Sequence, residues 1–259
     1  MPDSGGDSVI GRVVRLLSAF DRNLRSLPLT TLANRADLPL TTTHRLVNEL
    51  VKHGLLERAP SKEISIGLRL WEISARGSHT MTLREAALPF MEDLQTILRQ
   101  HVSLAVLDAG SVLFLERLAS PDSTLDAGRM AERYPLHGCS TGLVLLAFSS
   151  PDYQGKVLSG PLDKLTDRTV TDPVLLRRIL AEVRQQRFSY AAGFGIERWS
   201  GLAVPIIGEH GAVIAALNVA YPRGEENVLT AIPAMQTVAT SIARAVAGTP
   251  VARDGNRSS

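Results

Sequence analysis

Residues 29–58 of the chain, LTTLANRADLPLTTTHRLVNELVKHGLLER, decide the fold of its front part. In the second half of this stretch, apolar residues recur at helical spacing, which predicts a helix beginning near Thr41 and ending at Gly54. The apolar face of that helix consists of Leu46, Val47 and Leu50. Glycine is a natural C-terminal stop because it accepts the left-handed backbone conformation that ends many helices. We therefore expect an amphipathic helix with one face in a core.

The residues around this helix predict a winged helix-turn-helix. A shorter helix, capped by Thr30, ends at Ala36, and residues 37–40 make the four-residue connection that a helix-turn-helix requires. A further amphipathic helix is predicted upstream, over Val9–Phe20. Downstream, two short strands flank a turn at Pro60–Glu63, which predicts a wing.

The outer face of the predicted third helix carries polar groups that suit DNA. Thr41, Arg45, Asn48 and Lys52 form a row opposite the apolar face, Thr42 and His44 lie beside its N-terminal end, and Arg58 and Lys62 lie in the wing. Hydroxyl, guanidinium, amide and ammonium groups contact phosphates and base edges when a helix lies in the major groove. Three short helices with one polar face also occur in domains that never bind DNA, so the geometry leaves both interpretations open.

The composition is typical of a globular protein and excludes several other classes. The 259 residues are 44% hydrophobic, and 20 Gly and 14 Pro are too few for a collagen-like or low-complexity chain. The single cysteine, Cys139, excludes an intrachain disulfide and a cysteine-based zinc site. Apolar runs such as 143–148 are far shorter than the roughly 20 residues that span a bilayer. Residues 1–10 lack the pattern of a secretion signal, so we expect a cytoplasmic protein with no membrane partner.

Charge and periodicity both change near residue 80. Residues 1–80 carry 11 basic and 8 acidic side chains and residues 81–259 carry 17 and 18, although an excess of three also fits an ordinary solvated surface. Beyond residue 102, two predicted hairpins with turns at 108–111 and 208–211 alternate with helices, which predicts an α+β protein of two domains. The expected segments are a disordered tail (1–7), the winged helix-turn-helix (8–67), a helical linker (68–82), an antiparallel sheet flanked by helices (83–247) and a second disordered tail (248–259).

Residues 138–142, Gly-Cys-Ser-Thr-Gly, match the G-x-S-x-G pattern of a hydrolase nucleophile elbow. Asp172 and His210 are the downstream acid and histidine that such an enzyme would need. Against a serine hydrolase, Pro135 makes the preceding segment a poor central strand, and His210 lies at a hairpin tip. The hydrolase is therefore the less favoured alternative. The histidines also lack metal-ligand spacing, so we expect no metal and no cofactor.

The same segment suits ligand binding. A helix that begins at Ser140 and Thr141 presents free backbone N–H groups and the positive end of the helix dipole, which favour an anionic group. The small residues around this point let a ligand approach the backbone closely. Cys139 is interpreted as a packing residue, because no second cysteine exists to resolve an oxidised form.

Over residues 8–222, the chain resembles the IclR family of bacterial transcriptional regulators. The family pattern Leu-Pro-x-Ser/Thr-Thr-x-His-Arg-Leu, which opens the recognition helix, is matched by Leu38, Pro39, Thr41, Thr42, His44, Arg45 and Leu46. The likeness continues in ISIGLRLWEISAR (64–76), LREAALPFMEDL (83–94), SLAVLDAGSVLFLERL (103–118), YPLHGCSTGLVLLA (134–147) and GLAVPIIGEHGAVIAALNVAYP (201–222). The resemblance implies a dimer, or a dimer of dimers, that binds operator DNA, often represses a catabolic operon and carries a GAF-like effector-binding domain.

Two positions depart from the family pattern on the DNA side. Asp37 stands where the family usually has Gly, and because Asp tolerates left-handed geometry the turn is expected to survive. Leu40 stands where many members carry a polar or basic residue, so one DNA contact is expected to be missing and the operator sequence does not transfer.

The resemblance also implies a set of effector-binding positions. They are Asp126, Ser140, Thr141, Ala191, Gly201, Asn218 and Ala220, with Trp199 nearby. In members that bind small carboxylates, several of the last four implied positions are Asp, Cys or Ser, whereas here they are Ala, Gly, Asn and Ala. We expect a larger or more apolar ligand, such as an aromatic acid, with Asn218 as a hydrogen-bonding anchor. Asp126 either faces water or would repel an anion in the pocket.

The sequence therefore predicts a ligand-responsive DNA-binding regulator. A single reader of this size covers few base pairs, so a dimer with two half-sites is expected. In the linker, Leu70 and Trp71 are expected to be exposed and are the candidate dimer contact. Packing of Trp71 against its own winged helix is the alternative.

Overall fold

The computed structural model describes residues 8–21, 24–77, 79–120 and 132–248. The chain divides into two compact units, residues 1–81 and residues 82–259. Asp126 and most of the two predicted tails lie outside the described residues, while Gly248 is the last residue of the final helix. No helix in the described ranges is long and apolar enough to cross a membrane.

The first unit is the predicted winged helix-turn-helix. Its elements are α1 (Val9–Ser18), β1 (Ser26–Leu27), α2 (Leu29–Arg35), α3 (Leu40–Lys52), β2 (Leu56–Arg58), β3 (Ile64–Ile66) and α4 (Leu68–Gly77). The three short strands form an antiparallel sheet in the order β1-β3-β2. One apolar core joins the helices to this sheet and includes Leu16, Leu32, Val47, Leu56 and Ile64. The predicted apolar face of α3 therefore lies in the core.

The turn between α2 and α3 and the end of α3 both follow from the local sequence. Asp37 adopts a left-handed conformation, with φ of 51°, and the Leu38 N–H donates to the Ala33 carbonyl, which ends α2 in a Schellman motif. Gly54, with φ of 72°, ends α3 in the same way. The expectation that Asp37 tolerates the turn is confirmed. The predicted Thr30 cap is wrong, because α2 begins at Leu29 after Pro28, which makes no side-chain capping bond.

Helix α4 presents apolar side chains to solvent. Trp71 is 61% exposed and Leu68 is 64% exposed. The alternative in which Trp71 packs against its own winged helix is therefore wrong. Leu70 is half-buried, so the expectation that it is exposed is wrong.

The second unit contains an antiparallel sheet with helices on both faces, as predicted. Its elements are α5 (His79–Leu98), β4 (His101–Asp108), β5 (Ser111–Leu118), β6 (Arg133–Pro135), α6 (Ser140–Ala147), α7 (Pro151–Leu158), α8 (Pro173–Gln186), β7 (Ser189–Ala192), β8 (Trp199–Ile207), β9 (Val213–Pro222) and α9 (Val228–Gly248). The strand order is β6-β5-β4-β9-β8-β7. Pro135 lies in the edge strand β6, where a missing N–H costs no central ladder bond.

The two faces of the large sheet differ in side-chain size. The face in the core formed with α5 and α9 carries Val102, Leu104, Leu202, Val204, Leu217 and Val219. The opposite face carries Ala105, Ala191, Ala203 and Ala216 and packs against α6, all of whose eight residues are buried. Because alanine side chains are short, this face leaves room for a buried helix and for a cavity beside the start of that helix.

Candidate DNA-binding surface and ligand cavity

The structure places the eight residues predicted for DNA binding on α3 and on the wing of the first unit. Thr41, His44, Arg45, Asn48, Lys52, Arg58 and Lys62 are exposed, and Thr42 is half-buried. Helix α3 holds its polar row outward because Leu46, Val47 and Leu50 lie in the core. Exposed cations and amides at helical spacing can contact phosphates and base edges together.

A hydrogen-bonded chain joins the wing to α3. The guanidinium of Arg58 donates to Asn48 Oδ1 at 3.1 Å, and Asn48 Nδ2 lies 3.4 Å from His44 Nδ1. The Asn48 amide is thus oriented by groups on both sides, which the sequence did not predict. Arg45, also on α3, is exposed, so its side chain can extend toward a base or a phosphate.

The wing turn presents Lys62 at its tip. The backbone N–H of Lys62 donates to the Ala59 carbonyl at 2.9 Å, and its φ is 67°. The left-handed conformation turns the chain back toward β3 and leaves the ammonium exposed. A cation in this position can contact the DNA backbone beside the groove that α3 would occupy.

In the second unit, seven residues predicted for effector binding line one cavity of about 90 Å³. They are Ser140, Thr141, Ala191, Trp199, Gly201, Asn218 and Ala220. The strand register explains why they meet, because Ala191 lies opposite Gly201 and Gly201 lies opposite Ala220 on neighbouring strands. These three small residues form a row across the sheet. Asp126, the eighth predicted residue, lies outside the described residues.

The N-terminus of α6 forms one wall of the cavity. The helix begins at Ser140, and Cys139 Sγ accepts from the Gly142 N–H at 3.4 Å. The first N–H groups of a helix have no carbonyl of the same helix to bind, so Ser140 and Thr141 offer backbone donors here. Burial raises the pKa of the Cys139 thiol to about 11, so the thiol stays protonated at neutral pH.

Asn218 is held by the protein itself. Its Nδ2 donates to Ser140 Oγ at 3.0 Å and to the Leu202 carbonyl at 3.1 Å, and its Oδ1 accepts from Ser103 Oγ at 3.2 Å. Both amide protons are therefore used within the protein. Asn218 positions the Ser140 hydroxyl, and this arrangement does not favour the predicted role of Asn218 as a ligand anchor.

Sequence reasoning missed Arg117, the cation among the described residues that line this cavity. Its side chain is only 14% exposed, and its guanidinium carbon lies 3.6 Å from the centroid of the Phe114 ring, which also lines the cavity. Tyr134 packs edge-on against Phe114, with ring centroids 6.3 Å apart. Burial, and then the nearby Glu132 carboxylate, raise the pKa of Tyr134 above its usual value. A positive charge beside two aromatic rings is a further feature that suits an anionic ligand.

Trp199, two residues before Gly201 on β8, adds a polar group to the cavity. The residue is 8% exposed and packs edge-on against His101, with ring centroids 4.9 Å apart. Within the described part of the chain, the buried Trp199 Nε1 has no hydrogen-bond partner. A buried indole N–H usually finds an acceptor, so it is a candidate donor to a ligand.

A larger groove of about 680 Å³ lies elsewhere in this unit, between α9 and the β8–β9 hairpin. It is lined in part by the exposed side chains of Arg187 and Glu209. None of the seven predicted effector residues that the structure describes lines this groove. We favour the smaller cavity as the ligand site, because buried polar groups converge there.

The Gly138–Gly142 segment lacks the surroundings of a nucleophile elbow. Ser140 is 2% exposed, and its hydroxyl accepts from Asn218 Nδ2, whereas a nucleophilic serine donates its proton to a histidine. His137 Nε2 lies 2.9 Å from the Asp163 carbonyl, and His210 lies in the turn between β8 and β9. Among the described residues, no group of three or more His, Cys, Asp or Glu could hold a metal ion.

Family models match both units of the chain. The IclR helix-turn-helix domain matches residues 9–60, and the C-terminal domain of the bacterial transcriptional regulator IclR matches residues 76–244. The chain belongs to the IclR family. The predicted resemblance is confirmed, and this IclR-family protein is a transcriptional regulator rather than an enzyme.

Several relatives cover nearly the whole of this IclR-family protein. The crystal structure of an IclR homolog from Microbacterium hydrocarbonoxydans, complexed with 4-hydroxybenzoate, is 40% identical, covers 93% of this chain and 99% of its own, and has a TM-score of 0.86. An IclR homolog from Microbacterium sp. strain HM58-2 is 38% identical, with coverage of 94% and 100% and a TM-score of 0.63. The transcriptional regulator KdgR of Escherichia coli (strain K12) is 27% identical over 247 residues, which are 93% of this chain and 94% of KdgR.

Proposed function

We propose that this regulator represses a catabolic operon and that a small aromatic carboxylic acid is its effector. The observation that carries the effector class is the row of small residues, Ala191, Gly201 and Ala220, beside the buried Trp199. The short side chains of Ala191 and Ala220 leave room for a flat ring, whereas the space over Gly201 is filled by Ser140 at the start of α6, which a Cβ at Gly201 would overlap. The homolog that is 40% identical binds 4-hydroxybenzoate, which supports the same class of ligand for this chain.

DNA binding is assigned to the polar face of α3 and to the wing. Thr41, Thr42, His44, Arg45, Asn48 and Lys52 would enter the major groove, and Arg58 and Lys62 would contact the adjacent backbone. The protein would act in the cytoplasm, where its operator lies. Repression is the mode of regulation that the family resemblance implies.

The regulator would bind DNA as a homodimer or homotetramer, since one helix-turn-helix covers too few base pairs for a specific site. The exposed apolar face of α4, around Trp71, is the proposed contact between two copies. Residues 68–82 would serve as the linker that transmits the ligand signal, with residues 8–67 binding DNA and residues 83–247 binding the effector.

A two-part binding assay tests the proposal. Genomic DNA fragments selected by the purified full chain supply an operator, and its affinity is measured by fluorescence anisotropy with benzoate, 4-hydroxybenzoate, glyoxylate or pyruvate added. The melting temperature of the protein is measured with the same compounds. We expect one of the aromatic acids to raise this melting temperature and to lower the affinity of the protein for the operator. Tight calorimetric binding of glyoxylate or pyruvate, with no binding of the aromatic acids, would overturn the effector class.

A further inference from the structure

Residues 163–169, which we call the strap, contact two walls of the candidate ligand cavity. One wall is the start of α6, and the other is formed by residues 194–196 of the loop between β7 and β8. None of residues 163–169 is among the described residues that line the cavity. At the ends of the strap, Leu162 and Val170 pack against the core that contains α6. The strap is therefore anchored on both sides and can fix the position of the groups that it contacts.

Two threonine hydroxyls of the strap hold the β7–β8 loop. Thr166 Oγ1 donates to the Gly193 carbonyl at 2.5 Å, and Thr169 Oγ1 donates to the Phe194 carbonyl at 2.6 Å. Each hydroxyl also accepts a backbone N–H of the strap, since Arg168 N–H donates to Thr166 Oγ1 and Thr166 N–H donates to Thr169 Oγ1. Because one lone pair of each hydroxyl is used within the strap, its single proton is directed to the loop carbonyl. The loop is held where it leaves β7.

The other side of the strap contacts the segment that precedes α6. His137 Nε2 lies 2.9 Å from the Asp163 carbonyl, which can only accept, so the imidazole donates there. His137 is 3% exposed, so this bond is shielded from water. A Cβ on Gly138 would lie 2.6 Å from Leu165 Cδ1, so the strap also packs directly against the Gly138 backbone. One segment thus contacts both walls.

The two walls approach each other closely at Gly195. A Cβ on Gly195 would lie 3.0 Å from the Gly138 carbonyl oxygen and 3.0 Å from Tyr134 Cε1. The loop residues that make this approach follow directly after the two carbonyls that Thr166 and Thr169 hold. The threonine bonds therefore fix the separation of the walls, and this separation limits the width of a ring that fits between them.

We infer that the strap sets the width of the cavity, so that Thr166 and Thr169 select narrow aromatic acids without touching them. Both are positioning residues that act through the β7–β8 loop. Their role rests on the proposed function, because it determines which acids of the proposed class are accepted. A wall that is already ordered costs less to order when a narrow acid binds, whereas a wider acid must displace the wall and break its bonds to the strap.

Calorimetry with two acids of different width tests the role of the strap. The full chain, wild type and Thr166→Val/Thr169→Val, is titrated with 4-hydroxybenzoate and with the wider 4-hydroxy-3-methoxybenzoate. The double variant loses both hydroxyl bonds to the loop. We expect its affinity for 4-hydroxybenzoate to fall about 5- to 30-fold, or about 1–2 kcal/mol, because the released loop must be ordered when the acid binds. Its affinity for the wider acid should rise or fall by less than about threefold, because that acid gains space as the loop loses order.

The ratio of the two affinities distinguishes a change of width from a general loss of structure. A variant that only lowered the population of the binding-competent state would weaken the binding of both acids by the same factor and leave the ratio unchanged. Thr166→Ser/Thr169→Ser keeps both hydroxyls and should restore the wild-type ratio. Thr237→Val removes a threonine-to-carbonyl bond within α9 and should leave both affinities unchanged. Thr169→Val alone should give an intermediate ratio, and it replaces the double valine variant if that variant does not fold.

The expected result is a wild type that prefers 4-hydroxybenzoate, a preference that falls in Thr166→Val/Thr169→Val and returns with serine. An unchanged ratio in the double valine variant, or a wild type that prefers the wider acid, would overturn the role of the strap while leaving an aromatic effector in place. Where the wild type shows no binding of the wider acid, continued absence of that binding in the double valine variant would overturn it as well. Failure of the wild type to bind either acid would overturn the proposed effector class, and the role of the strap with it.

Discussion

Helices α3 and α6 show two different ways in which a helix carries function in this protein. In α3, apolar residues occupy one face and an exposed polar row occupies the other, so the side chains themselves form the candidate DNA surface. In α6, all eight residues are buried, and its contribution is the position of its first turn beside the cavity. Substitutions on α3 should therefore change binding without changing stability, whereas substitutions in α6 should do the reverse.

The largest expected effect is in α6, from Gly142→Ala. A Cβ at this position would overlap the backbone carbonyl of Leu136, which cannot move as a side chain would. We expect a loss of about 3 kcal/mol or more in the free energy of unfolding, measured by urea denaturation. Gly155→Ala is the matched control, because a Cβ there meets nothing within 4 Å in the helix α7.

Gly155→Ala should raise stability by about 0.5–1 kcal/mol, since alanine has the higher helix propensity. Similar destabilisation by both substitutions would mean that helix propensity, and not the close approach of Leu136 to α6, sets the stability of this region.

A smaller effect, confined to DNA binding, is expected on α3. Arg45→Ala should cost about 1–3 kcal/mol of operator-binding free energy at low salt, with the melting temperature of the protein unchanged. The side chain is exposed, so its removal leaves no cavity and no unpaired buried group. Arg178→Ala removes an exposed cation from α8 of the other unit and is the control for net charge. Unchanged operator affinity in Arg45→Ala would remove this residue from the DNA surface.

The smallest effect is expected from Ser140→Ala at the start of α6. The substitution removes one hydrogen bond of the Asn218 amide and should cost about 1 kcal/mol in unfolding free energy. Binding of the aromatic acid should change by less than about threefold, because the backbone N–H groups of α6 remain. Ser103→Ala breaks the other side-chain bond of Asn218 and is the control. A tenfold weaker ligand affinity in Ser140→Ala alone would show that the Ser140 hydroxyl contacts the ligand.

The two helices also differ in how well the sequence predicted them. The bounds of α3 followed from its amphipathic period, from Asp37 and from Gly54, because a surface helix shows its buried face in the spacing of its apolar residues. Helix α6 has no such period, since every side is buried. Its start was recognised instead from the small residues and the family resemblance.

For the candidate ligand cavity, the sequence predicted the members on β7, β8 and β9 but not those on β5. Ala191, Gly201 and Ala220 follow regular strand alternation, so the family pattern placed them together and the structure brings them to one cavity. Arg117 was missed because strand alternation alone would group it with Leu115, on the face toward α5. A β-bulge, at which Leu115 is an extra residue of β5 relative to β4, reverses that assignment.

The sequence by itself determined the family, the two-domain organisation and the polar face of α3, because each depends on residues close together in the chain. Only the tertiary structure decided which charged side chain lines the cavity. The bulge at Leu115 and the pairing of β5 with β4 bring Arg117 over Phe114 and into line with Ser103 and Asn218. Strand register is a property of the folded sheet, and a shift of one residue changes which side chains face a ligand.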